Sequence, residues 1–399
     1  MNQIVVAGHL CLDVFPTLPS SHQDFMALLT PGRLVAVGPL RFATGGAVSN
    51  TGLACVRFGA PVRLMALTGD DLLGTETRRR LEAAGGDSRS IAVRRDVTTS
   101  YTIVLEPPGF DRIFLHHTGA NDQFDASAIS WADAMSADLF HFGYPPLMAK
   151  MYAQEGDALL EIIQKAHGAG LVTSMDMALP DPLAPAGQAP WETILRRVLP
   201  LTDFFLPSIQ ESLYMLNPSL YRQRRREAGS GNLVDVVSPA DVSAIAHRCL
   251  DFGTAVVLIK CGHRGLYLRT AGRDRLVPVA RRLGLPLEAW TDRELWQPCF
   301  HVETVVGTTG AGDSAIAGFL CAAARSLSAG QALRYAAAAG SYNVTQADSL
   351  SGLVDWSTMT ERLAQGWPLA PFSIAEAGWT FHSHQQWWTG PADARPDRA

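Results

Sequence analysis

From Asp138 onward the chain alternates short apolar runs with helical patterns at close intervals, and that alternation restricts it to strand–helix–strand units around a parallel sheet. Residues 139–142, 171–175, 204–206 and 255–259 read as strands, and residues 158–167, 192–198 and 240–252 as helices. Upstream, the β-branched run 3–7 predicts the first core strand and 61–67 a second. A helix over 72–84 stops at Gly85-Gly86. The expected fold is one α/β domain: a central, mostly parallel sheet with helices on both faces. At 399 residues and 47% hydrophobic, the chain can bury such a core; with 18% charged residues it is not composed like a disordered protein.

Ligands of open α/β sheets sit at the carboxyl ends of the strands. His9 and Asp13 follow the first strand in GHLCLDVFP, Gly143 and Tyr144 follow another, and Asp176 ends a third. A carboxylate such as Asp13 can accept two hydroxyl donors of a polyol; its plainer role is that of a turn residue. Residues 18–41, broken by Pro19, Pro31, Gly32 and Pro39, predict a flap outside the sheet. Residues 99–106 and 112–116 flank Pro107-Pro108-Gly109 as a hairpin, and the two pieces together predict a small antiparallel lid. Arg112 on this lid either reaches a substrate or phosphate or, the plainer reading, is an exposed edge-strand residue. His116 and His117 are adjacent, hence on opposite strand faces, which argues against a shared metal.

The stretch 305–320, VVGTTGAGDSAIAGFL, joins a short apolar lead to a loop with Gly307, Gly310 and Gly312 and then a small-residue helix. Glycines at a helix start let a ligand approach the backbone, and the unpaired N–H groups and helix dipole there favour an anion. Asp313 in the first turn is placed to act as a general base beside such an anion, or else simply to cap the helix. No Gly-Lys-Ser/Thr follows, so this is not a Walker loop, and no G-x-G-x-x-G follows an early strand.

GTTGAGDS with its small-residue helix resembles the C-terminal signature of the ribokinase-like (PfkB) carbohydrate kinases, and TGGAVSNTGLACVRFGA, residues 44–60, resembles their N-terminal one. The resemblance implies a ribokinase-like three-layer fold over residues 1–365, a lid from about 11–43 and 97–118, and ATP with Mg2+ as cofactors. It implies Asp313 as base, with the N–H groups of Gly310, Ala311 and Gly312 as an anion hole. Asp13, Gly45, Gly46, Asn50 and Arg112 would contact a sugar-like substrate. Lys260, Gly262, Gly265 and Thr309 would lie at the nucleotide, and Glu211 would organise magnesium through water. Plainer readings stand beside these. LPSIQES has Ser208 where the family carries Asn, and Ser-x-x-Glu is also a capping box. Asn50 also reads as a first-turn polar group, and the Gly262–Gly265 turn as a simple hairpin connection. Gly307 stands where many members have an acidic residue, so a monovalent-cation site is left open; Ala337 replaces an expected Asn, and no adenine contact is carried there. A nucleoside kinase of the same fold and a catalytically idle sugar-binding homologue are the rival readings, an oxidoreductase a remote one.

A net charge of −5 gives no reason to expect nucleic acid or an anionic membrane as partner; beyond a small molecule, a second copy of the chain is the remaining candidate. MNQIVVAG enters a strand pattern without a basic leader, and six scattered cysteines form no C-x-x-C pair. Both features predict a cytoplasmic protein with reduced thiols. The basic YRQRRREAGSGNL predicts a solvated insertion or loop, and 281–298, with Trp290 and Trp296, a further insertion. The tail, 366–399, lies outside the resemblance; its tryptophans are expected to pack on the body or a partner, and its last ten residues to fray.

Overall fold

The computed structural model describes residues 1–18, 30–106 and 113–394. Its strands are β1 Ile4–Gly8, β2 Cys11–Pro16, β3 Leu40–Gly45, β4 Val62–Met65, β5 Leu67–Gly69, β6 Ala92–Arg94, β7 Tyr101–Leu105 and β8 Ile113–His117. They continue as β9 Leu139–Gly143, β10 Val172–Met175, β11 Phe204–Phe205, β12 Val256–Lys260, β13 Leu266–Thr270, β14 Glu294–Gln297, β15 Thr380–His382 and β16 Trp387–Thr389. The central sheet has ten strands in the order β15-β16-β14-β13-β12-β11-β10-β9-β1-β4. From β4 to β12 neighbours run parallel, and from β12 to β15 they run antiparallel.

Both faces of this sheet are covered. Ile4 and Val6 of β1 face one apolar cluster and Val5 and Ala7 the other, all without exposure. That is why β1 is a continuous apolar run with no polar alternation. The chain leaves β1 first for β4 on one side and later for β9 on the other, so the gap between the ends of β1 and β9 is the switch point of the sheet. The strands meet tightly there: a Cβ on Gly8 would stand 2.5 Å from the Gly143 carbonyl oxygen, and one on Gly143 would stand 2.0 Å from the Ala47 Cβ.

The lid is present as a four-stranded sheet, β3-β2-β7-β8, but it is mixed, since β2 and β7 run parallel. Asp13, expected at the end of β1, instead sits within β2, because the chain re-enters a strand three residues after β1. Residues 19–29 of the expected flap and Arg112 lie outside the described residues. The expected strand 61–67 divides into β4 and β5, and β5 pairs with β6 in a two-stranded sheet of its own.

Three expectations from polar composition are met only in part or not at all. Residues 281–298 are no insertion: β14 is a buried sheet strand, and Trp290 and Trp296 have no exposure. Their indole N–H groups donate to the Leu327 and Arg264 carbonyls at 2.9 and 2.8 Å, which is what allows both rings to be buried. The basic run is solvated but helical over Pro218–Ala228, started by the Asn217 cap and a first-turn proline. The tail adds β15 and β16 to the sheet and its Trp367 and Trp387 are buried on the body, as expected; of the ten residues expected to fray, 390–394 are tied down, with Arg293 paired to Asp393 at 3.0 Å and the Ala392 N–H donating to Glu294 Oε2 at 2.7 Å, while 395–399 lie outside the described residues.

No helix among the described residues is long and apolar enough to cross a membrane. All six cysteines are free thiols, five of them buried. The Trp387 ring fills the space a side chain at Gly330 would occupy, 2.4 Å from an added Cβ. Trp387→Ala should therefore lower unfolding free energy by about 3–5 kcal/mol in denaturant titration; a loss under about 1 kcal/mol would show that the tail is not part of the folded unit.

Candidate active site

The helix Ala311–Ala324 starts at Gly310, whose φ of 77° is left-handed, and a Cβ there would also stand 2.4 Å from Ser349 Cβ. Beneath Gly318 on the same helix there is equally little room: an added Cβ would lie 2.8 Å from the Tyr335 carbonyl oxygen. These close approaches explain the small-residue pattern. The apolar lead to the loop is not a strand; Val305 and Val306 are more than half exposed, and the Val306 N–H bonds to the Val344 carbonyl at 2.9 Å. Of the three loop amides, that of Ala311 turns back to the Thr308 carbonyl at 3.2 Å, while those of Gly310 and Gly312 meet no acceptor among the described residues. Thr309 is exposed in the turn just before.

Asp313 is only 5% exposed. Tyr144 donates its hydroxyl to Oδ1 at 2.6 Å and Asn50 its amide to Oδ2 at 2.9 Å. Burial raises the Asp313 pKa, while the Tyr144 hydrogen bond, the Lys260 charge and the Asn50 hydrogen bond pull it back. Asn50, in the first turns of the helix Ala47–Arg57, is fixed in turn because its Oδ1 accepts from Ser349 Oγ at 2.9 Å. Ser349 had no legible signal in the sequence. Tyr144 had been placed at the strand edge, but its bond spans 169 residues and no local pattern announces it.

Asp13 lies on the lid, half-buried, with its pKa raised by burial. The register puts Asp13 opposite Thr102 and Thr102 opposite His116, so the three form one cross-strand row. Thr102 Oγ1 lies 3.0 Å from His116 Nδ1. Gly45 makes room for this row and Gly46 for the neighbouring His9: a Cβ on Gly45 would lie 2.4 Å from Asp13 Oδ2, and one on Gly46, where φ is 90°, 2.5 Å from His9 Nδ1. The His9 ring, 2% exposed with neither nitrogen hydrogen-bonded, sits 5.5 Å from His116 and 6.0 Å from Tyr144. Burial, then His116, drives its pKa down to about 3, so it is a neutral imidazole. His9 thus bridges the lid and the body.

Lys260 closes β12, and its stem passes Gly312, with Cδ 3.4 Å from where a Cβ would stand. Three carboxylates, Asp313, Asp176 and Glu211, all have pKa values raised first by burial and opposed by Lys260. Asp176 is fully buried, and its Oδ2 has no hydrogen bond. Gly262 and Gly265 form the turn of the β12–β13 hairpin, the plainer of their two readings, with φ of 54° and 94°. Glu211 does make the capping box: its carboxylate accepts the Ser208 N–H at 2.6 Å, and Ser208 Oγ accepts the Glu211 N–H at 3.2 Å. His116 and His117 face opposite ways, to Thr102 and Thr98. Among the described residues no three His, Cys, Asp or Glu side chains group to ligate a metal directly. A phosphate chain nevertheless fits here, with two amides lacking acceptors, a lysine and a helix start on one side. A magnesium ion fits as one carried by phosphate and water near Glu211 and Asp176, the manner that ion favours.

An open α/β sheet, a glycine-led helix start beside a buried carboxylate and a four-stranded lid define an α/β architecture of the ribokinase type. Residues 1–355 match the model of the pfkB family carbohydrate kinases, and the chain belongs to that family. It is 24% identical to the fructoselysine 6-kinase of Escherichia coli K12 over 85% of this chain and 95% of that one. The fold is shared with Arabidopsis thaliana ribokinase complexed with ribose and ATP, at TM-score 0.68, 17% identity and coverage of 91% and 98%. It is shared too with an E. coli ribokinase II candidate in complex with ATP and Mg2+, at TM-score 0.64, 18% identity and coverage of 92% and 100%.

The capping box makes its own prediction. Ser208→Ala should cost about 1 kcal/mol of stability, whereas Glu211→Gln, which still accepts the Ser208 N–H, should melt with the wild type. A loss in Glu211→Gln as large as that in Ser208→Ala, read in thermal melts, would mean that the carboxylate charge holds this helix beyond what the cap supplies.

Proposed function

We propose that this chain transfers the γ-phosphoryl group of ATP to a hydroxyl of a sugar or sugar-like acceptor, with Asp313 as general base. The observation that carries this reading is the Asp313 carboxylate: buried, held on both oxygens by Tyr144 and Asn50, and one residue from the Gly312 amide. An alcohol is a weak nucleophile at neutral pH, and a carboxylate of raised proton affinity takes its proton more readily than an exposed one. ATP, held with magnesium, supplies the phosphoryl group. Gly310 and Gly312 direct their amides to the charge that develops on it, and Lys260 adds a cation at the same place. The Ala311 amide joins them only by giving up its 3.2 Å bond to Thr308. Lys260, Gly262, Gly265 and Thr309 serve the nucleotide side. Asp13, Gly45, Gly46, Asn50 and Arg112 serve the acceptor side, and Glu211 acts on hydrated magnesium while it caps its helix. Closing the lid carries Asp13 to the acceptor and removes water that would compete for the phosphoryl group.

The chemistry is tested by magnesium-dependent ATP consumption with a panel of fructoselysine, ribose, fructose, sugar acids and nucleosides. Asp313→Asn should lower kcat by about 10²–10⁴-fold with ATP affinity and melting temperature nearly unchanged. A variant that keeps most of its turnover would return Asp313 to helix capping. Asp13→Ala should weaken acceptor binding selectively, by about 1.5–3 kcal/mol for each charge-assisted hydrogen bond lost. Calorimetric titration that finds acceptor and ATP weakened alike, or neither, would remove Asp13 from the acceptor site.

A further inference from the structure

Three observations converge on Tyr144. Its hydroxyl is 2.6 Å from Asp313 Oδ1, a length proper to a charge-assisted bond. Its backbone is left-handed, φ 63° and ψ 46°, although it carries a full side chain and precedes Pro145. A residue with a Cβ keeps that conformation only where its surroundings enforce it, and such residues gather at functional sites. The enforcement is visible. Gly143 before it is wedged against Ala47, two prolines follow, and Asp176 Oδ1 accepts the Tyr144 N–H at 3.3 Å.

We infer that Tyr144 is a positioning residue for phosphoryl transfer, orienting the Asp313 carboxylate toward the acceptor hydroxyl, and that Asp176 acts through it by fixing its backbone. This rests on the reading of Asp313 as base. Asn50 alone would hold one oxygen and leave the carboxylate free to turn about it; donors on both oxygens fix its plane. Each oxygen retains a second acceptor site, which is where the acceptor hydroxyl would bind. A tyrosine used only for packing would need neither the left-handed backbone nor the bond.

The groups facing Asp313 are Tyr144 after β9, Asn50 and Thr51 from the helix Ala47–Arg57, Lys260 at the end of β12, Asp176 after β10 and Glu211 from the helix Ile209–Leu216. Deleting one hydroxyl leaves the burial, the Lys260 attraction and the two neighbouring carboxylates in place. It removes a donor that favours the ionised form, so the carboxyl must hold its proton to higher pH.

The test is the Asp313 titration itself, read by NMR with aspartate labelled at the carboxyl carbon. Wild type is compared with Tyr144→Phe, and Asp313→Asn identifies the resonance. In Tyr144→Phe the Asp313 titration should move to higher pH. With fructoselysine, ribose and fructose as acceptors, kcat near neutral pH should fall about tenfold. The acidic limb of the kcat profile should shift in the same direction, and the KM for ATP should hold within about twofold. An unmoved Asp313 titration, or a kcat loss uniform across pH, would overturn the inference. A second pair of variants serves also if Tyr144→Phe does not fold: Asp176→Ala and Asp176→Asn both remove the like charge beside Asp313, but only the alanine loses the acceptor of the Tyr144 N–H. The Asp313 titration should therefore lie at higher pH in Asp176→Ala than in Asp176→Asn, and equal titrations in the two would count against the inference. If Asp313→Asn kept its turnover while the titration still shifted, the base assignment would fail and the clamp would stand, so the two failures are separable.

Discussion

Taking the Asp313 carboxylate out of water to 5% exposure is unfavourable unless donors and a cation replace its hydration. Those replacements come from residues 50, 144 and 260, which no local segment can bring to residue 313. They meet because β1 lies between β4 and β9, so that helix starts and strand ends converge on one gap. Convergence needs backbone within van der Waals range, and the absence of a Cβ at Gly8 and Gly143 is what permits it. The strand order, the two glycines and the buried Asp313 carboxylate are one connected requirement.

The second carboxylate of the site, Asp13, belongs to a different body. It rides on the lid, in the row with Thr102 and His116, while Asp313 belongs to a helix against the main sheet. Contact between the two passes through the His9 ring, which has burial without hydrogen bonds. A neutral imidazole can donate at one nitrogen and accept at the other, so it can satisfy a hydroxyl in either sense without fixing a charge. Under the proposed function, carrying one carboxylate on the lid and the other on the body makes the complete site depend on how the lid sits.

Much of this was legible in the sequence, and the misses follow a pattern. The parallel strands after residue 138 and the helix starts at Gly46 and Gly310 are read from local periodicity and local glycines, and those signals are strong because they reflect short-range sterics. Trp290, Trp296 and β14 were missed because Arg281, Arg282, Asp292 and Arg293 flank them, while what covers them is remote in sequence: Trp290 packs on Phe204 and Phe319, Trp296 on Phe372 and Trp379, and β14 gains a neighbouring strand from residues 387–389. The helix Pro218–Ala228 was missed as a helix because it buries nothing, so no apolar period marks it, and its cap and first-turn proline were the available signs. In the site, Asp313 and Asn50 announced themselves through their motifs. Ser349 and the Tyr144 bond did not, since each is a contact between segments far apart in the chain.

The raised carboxyl pKa values also bear on the whole molecule. Asp313, Asp176, Glu211 and Asp13 all bind protons more tightly in the folded chain than an exposed carboxyl does. For such groups the folded state holds more protons than the unfolded one across the interval between the ordinary carboxylate pKa and the raised value. Stability therefore falls as pH rises through that interval, and above it the full penalty remains. Lys260 reduces the load on three of the four, Asp313, Asp176 and Glu211, without removing it. A site of this kind lowers stability at neutral pH. It persists because the continuous apolar faces of β1 and its neighbours, and the tail strands closing over β14, stabilise the same sheet that holds the carboxylates together.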